Sequence, residues 1–118
     1  MFNERQNIFF HGFSNIFKLG QIVKHRIHPF RGVIYDVDPV FSNTEEWYLS
    51  IPEAVRPRRD QPFYHLLAQN DQTTYEAYVS EQNLLPDDSD EPLRHPEIER
   101  YFDRGQDGQY RTRPSNAH

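Results

Sequence analysis

The chain has 118 residues, 36% of them hydrophobic and 14% aromatic, with a formal net charge of −5 and no cysteine. That length carries one small domain rather than two, and the missing cysteines exclude disulfides, thiolate metal sites and a cysteine nucleophile. No run approaches the roughly 18 apolar residues of a membrane-spanning helix. The opening MFNERQNIFFHGFSNIF has neither a long apolar stretch nor a small-residue cleavage site, which predicts a soluble cytoplasmic protein without a secretory leader.

Residues 1–16 are aromatic but irregular and read as a poorly ordered arm or a short helix. Ile22 and Val23 open a first strand, and Val33, Tyr35 and Val37 alternate with Ile34, Asp36 and Asp38, the period of a second strand with one apolar face. His28-Pro29-Phe30-Arg31-Gly32 between them is a short loop, with His28 held extended by the following proline. Asn43 and Glu46 have the spacing of a capping box and predict a helix over residues 44–51, ended by Pro52; Pro57 keeps the next stretch from becoming helical. Residues 63–68, FYHLLA, form a strand apolar on both faces. After a turn at residues 70–73, residues 75–79 complete a hairpin, and residues 82–86 make a closing turn or strand. Ile22, Val33, Tyr35, Val37, Phe63, Leu66, Tyr75, Ala77 and Val79 are expected to line a single interior. This pattern predicts a mainly β protein, a small SH3-like β-barrel at residues 17–102 with a short helical insertion. Residues 96–102 form a helical turn packed as a latch, and residues 103–118 form a polar, solvated tail.

The chemistry lies in charge, not in a catalytic constellation. Arg5, Lys18, Lys24, Arg26 and Arg31 are the only formal charges across residues 5–35, so this part is positive in an acidic chain and draws anions. Lys24, Arg26, His28, Phe30 and Arg31 are the candidate DNA-contacting residues, the cations for phosphates and Phe30 for an apolar contact to a base methyl. Arg56, Arg58 and Arg59, stiffened by Pro57, form a second basic cluster. With Trp47 and Tyr48 they make a candidate partner surface, although the aromatic pair also suits the cap of a small core and the arginines suit internal ion pairs. His25, His28, His65 and His95 lack the spacing of a common zinc set. Asp36 and Asp38 share a strand face at about 7 Å, before a proline, where carboxylates serve turns more often than catalysis. The serines sit in no nucleophile elbow. No enzyme, cofactor or metal is indicated.

GQIVKHRIHPFRGVIYDVDP, NTEEWY, RPRRDQPFYHLLAQN and YEAYVSEQNLLPD, in this order and spacing, resemble the HspQ family, also described as the YccV-like or hemimethylated-DNA-binding family, over residues 18–102. The resemblance implies an SH3-like barrel, a bacterial cytoplasmic setting, homo-oligomerisation and no catalytic chemistry. It also implies binding to hemimethylated double-stranded DNA and a heat-shock role in promoting degradation of selected proteins by the ATP-dependent protease Lon. The expectation is a non-enzymatic regulator acting through the protease, with DNA binding as a second property. The alternatives are a protein that acts primarily on hemimethylated DNA, or a structural interaction barrel.

Overall fold

Extended, β-branched and aromatic sequence sets the frame. In the computed structural model, which describes residues 16–114, β1 (Ile22–His25) and β2 (Arg31–Asp38) form an antiparallel hairpin with Ile22 opposite Val33 and Lys24 opposite Arg31. β3 (Phe63–Gln69) lies against β2, β4 (Thr74–Ser80) against β3, and β5 (Leu84–Pro86) along the outer side of β1, giving the order β4-β3-β2-β1-β5. Gly32 is needed at the β2–β3 crossing, because a Cβ there would meet the Leu67 carbonyl oxygen at 2.7 Å. The expected arm, apart from Ile16, lies outside the described residues.

A single 3₁₀ turn, Glu81–Asn83, carries the chain from β4 on one edge to β5 on the other. Four residue steps span at most about 14 Å, so the sheet must curl until its edges nearly meet. It does not close. β4 and β5 share no ladder, so the expected barrel is an open curled sheet, and β5 offers only three residues, one of them a proline with no N–H to give. Phe17 sits edge-on to Tyr64 at 5.5 Å and Phe30 edge-on to Tyr75 at 5.8 Å, as part of or packed against the inner core.

The single interior expected from nine residues divides into two. On the concave face Val23, Ile34, Tyr64, Leu66, Ala68, Val79 and Leu84 form one core, with Val37, Tyr75 and Ala77 half-buried against it. On the other face Val33 and Leu67 pack with Leu93, Ile98, Phe102 and Tyr110, flanked by Ile22 and Tyr35. The cause is partly a bulge between Ile34 and Asp36, which changes the parity of β2 so that Ile34 and Val37 share the inner core while Tyr35 faces the other way. β3 is buried on both faces, as its uninterrupted apolar run requires.

The outer core is built by the C-terminal quarter. The expected latch is present as α2 (Ile98–Tyr101), which buries Ile98. The expected solvated tail is not: β6 (Phe102–Arg104) and β7 (Tyr110–Thr112) form a hairpin whose Phe102 and Tyr110 are buried over the sheet. Gly108 turns this hairpin at φ +82°, which a residue with a Cβ rarely adopts. The helical insertion forms as α1 (Glu45–Leu49), capped one residue later than expected. Thr44 Oγ1 accepts the Trp47 N–H at 3.0 Å, leaving Glu46 too early to reach back as a box partner, while Asn43 accepts from Thr44 itself.

Candidate nucleic-acid interface

His25 organises the β1–β2 loop. Its Nδ1 accepts the backbone N–H groups of both Ile27 and His28 at 3.0 Å, the His25 backbone N–H donates to the Phe30 carbonyl, and Phe30 N–H donates to the His28 carbonyl. Desolvation, with the nearby His28 and Arg26, holds the His25 pKa below the ordinary imidazole value, favouring the neutral ring whose Nδ1 is free to accept. Arg26 is pinned by its backbone N–H to the Asn83 carbonyl at 2.9 Å and by its guanidinium to Asn83 Oδ1 at 3.2 Å. The result is a tight turn displaying Lys24, Arg26 and His28 to solvent, with Ile27 at 69% exposure.

Two of the five residues expected here do something else. Phe30 is not at the tip; it packs on Tyr75 and beside His25 at 5.2 Å. Arg31 donates through Nε and Nη2 to Asp87 Oδ2 at 3.1 and 2.9 Å and through Nη2 to the Glu91 carbonyl, and its side chain is only 20% exposed. It ties the hairpin to the strand-free segment after β5. Its partner is 56 residues away in sequence, so no local signal could have revealed the pair.

The second basic cluster is used internally in the same way. Arg56 donates to the carbonyls of Leu49 and Ile51 at the end of α1, Arg58 pairs with Asp60, and Arg59 pairs with Glu45 while its guanidinium lies 4.0 Å from the Tyr48 ring centre. Tyr48 donates its hydroxyl to the Pro57 carbonyl. Trp47 and Tyr48 both pack on Phe41, which in turn meets Phe63 edge-on at 5.3 Å. The cluster fastens the insertion onto the end of the sheet.

Asp36, Asp38 and His65 bring ligand atoms within 4.8 Å of one another, a grouping the histidine spacing did not suggest. Asp38 Oδ2 already accepts the Tyr78 hydroxyl at 2.8 Å and faces His65 Nε2 at 3.0 Å, and Asp36 Oδ1 accepts the Val37 N–H. These bonds explain the pair as a brace between β2, β3 and β4. His95, buried at 7% exposure, likewise braces: its Nδ1 accepts the Glu97 N–H and its Nε2 donates to the Tyr75 carbonyl.

The family described as hemimethylated DNA-binding protein YccV like matches residues 15–109, and the chain belongs to that family. F-box only protein 21 of Homo sapiens is 30% identical over 87 residues, 73% of this chain and 13% of that protein. The proteins of the same name from Pongo abelii and Mus musculus are 30% and 29% identical over the same share of this chain, covering 14% and 13% of their lengths. The chain therefore spans about one seventh of the curated relatives it matches. Among the described residues no helix is long and apolar enough to cross a membrane.

Proposed function

We propose that the protein is a non-enzymatic recognition module that holds duplex DNA, hemimethylated DNA in particular, on its β1–β2 loop. The observation that carries this reading is the braced turn that presents Lys24, Arg26 and His28 with no carboxylate partner among the described residues. The family's description supports it. In a chain of net charge −5, DNA approaches such a surface and is repelled from most others, so contact is confined to one face. Lys24 and Arg26 take phosphates; Ile27, exposed between Arg26 and His28, supplies the apolar contact to a base methyl in the major groove in place of Phe30. The curled sheet is a barrel of SH3-like type left open between β4 and β5.

The test is a salt series with a fluorescein-labelled hemimethylated duplex followed by anisotropy. The affinity of the full chain falls steeply with salt, and Lys24→Ala with Arg26→Ala reduces the magnitude of the log–log slope by about 1.8, at about 0.9 per phosphate contact. An unchanged slope in the double variant contradicts this surface.

A second reading is that the module promotes degradation of selected proteins by the protease Lon during heat stress, as a cytoplasmic homo-oligomer. It rests on the sequence resemblance, and on the exposed Leu49 and Val55 of the insertion as a partner surface. The occurrence of an 87-residue match inside far longer relatives suits a recognition unit that works through other parts. Purified protein would accelerate proteolysis of client proteins only with protease and ATP present.

A further inference from the structure

Most arginines of this chain are spoken for. Among the described residues Arg31, Arg58, Arg59, Arg100, Arg111 and Arg113 each pair with a carboxylate, and Arg56 is consumed by helix-end carbonyls. Arg94 is different. It lies far from the hairpin in sequence, on the segment between β5 and α2, and, like Arg26 on the loop and Arg104 beside the Tyr110 ring, it has no carboxylate partner among the described residues.

The surrounding residues hold Arg94 in place. Leu93 and His95 on either side are buried, so the side chain between them is turned outward, and Arg94 is exposed. Its backbone N–H donates to Oε1 of the buried Gln69, and its guanidinium donates to the Asn70 carbonyl at 3.1 Å. His95 Nε2 fixes the next residue to the Tyr75 carbonyl. Gln69 stands opposite Arg31, and Arg31 opposite Lys24, so one cross-strand row runs Lys24, Arg31, Gln69 at the end of the sheet that carries the β1–β2 loop. With strands about 4.8 Å apart, Lys24 on β1 and Gln69 on β3 stand about 10 Å apart along the row, and Arg94 lies above Gln69. That span is comparable with the roughly 12 Å width of the B-DNA major groove.

We infer that Arg94 is a second phosphate anchor for duplex DNA, contacting the backbone across the groove from Lys24 and Arg26. The inference rests on the DNA-binding reading above and extends its footprint from one loop to a two-sided clamp on the groove. Arg31 between the two anchors is neutralised by Asp87, and the exposed Asp88, Asp90 and Glu91 of the segment it holds make the middle of the row acidic, so phosphates are confined to the cations at its ends. Asp71, exposed in the β3–β4 turn beside Asn70, borders the clamp and limits the footprint on that side.

The same anisotropy salt series on the full chain decides it, using Arg94→Gln and Arg94→Lys. Arg94→Gln keeps the backbone bond to Gln69, so its melting temperature should match wild type. Its salt slope should fall in magnitude by about 0.9, equally in the wild-type and the Lys24→Ala/Arg26→Ala backgrounds, while Arg94→Lys keeps the wild-type slope. A wild-type slope in Arg94→Gln, with a reduced one in Lys24→Ala/Arg26→Ala, overturns the clamp and leaves the single-loop reading standing. Absence of salt-dependent binding by the wild-type chain overturns both.

Discussion

Replacing Phe63 with alanine is expected to cost about 3 to 5 kcal/mol, because a fully buried ring is removed from a site that cannot collapse around the hole. Phe63 is 0% exposed, stacks on Tyr78 at 5.1 Å and takes the edge of Phe41 at 5.3 Å. Phe41 in turn seats Trp47 and Tyr48, so the same truncation loosens the insertion from the sheet. At about 4 to 8 °C per kcal/mol for a domain of this size, the melting temperature drops by more than about 10 °C. Urea unfolding followed by circular dichroism measures it; a loss below about 1 kcal/mol would mean that the ring is not part of a packed core.

Arg31→Ala should also destabilise the fold, by about 1.5 to 3 kcal/mol, since Asp87, whose side chain is 7% exposed beneath Arg31, loses its ion partner and keeps only the Ser89 hydroxyl as a side-chain donor. The sequence alone placed Arg31 with Lys24 and Arg26 as a phosphate-contacting cation, and the geometry separates it from them. Burial by itself would raise the Asp87 pKa, but hydrogen bonds from Arg31 and Ser89 and the charges of Arg31 and Lys24 hold it below the usual aspartate range. A carboxyl that titrates lower in the folded state adds stability above the unfolded value of about 4. That contribution is lost as the pH falls through the folded value. Wild type should therefore lose stability on acidification across this window more steeply than Arg31→Ala. Parallel stability–pH curves for the two proteins would contradict the ion-pair account.

The three long strands were legible because period-two alternation over β2 and β4, and a doubly apolar run in β3, are direct images of burial. Which strand face met which core was not legible: the bulge beside Tyr35 shifts parity without any glycine or proline to mark it. The closed barrel failed at its shortest member, β5, whose three residues leave too few groups for a ladder to β4. Residues 103–112 were read as solvated because their strands are three residues long and mostly polar; the informative pair was Gly108 with Tyr110, a turn residue followed by an aromatic. The basic loop was visible as an acid-free stretch. Its division into structural Arg31 and free Lys24 and Arg26 depends on Asp87, and the contribution of Arg94 depends on Gln69, both of them partners across folded space.

The central claim, that duplex DNA sits on the end of the sheet formed by the β1–β2 loop, is tested most directly by backbone amide chemical-shift mapping of the full chain titrated with a hemimethylated duplex. The account predicts perturbations concentrated at residues 24–30 and 94, fading as salt is raised, with α1 and residues 56–59 unmoved. Perturbations centred on α1 and Arg58, or none at any salt concentration, would contradict it.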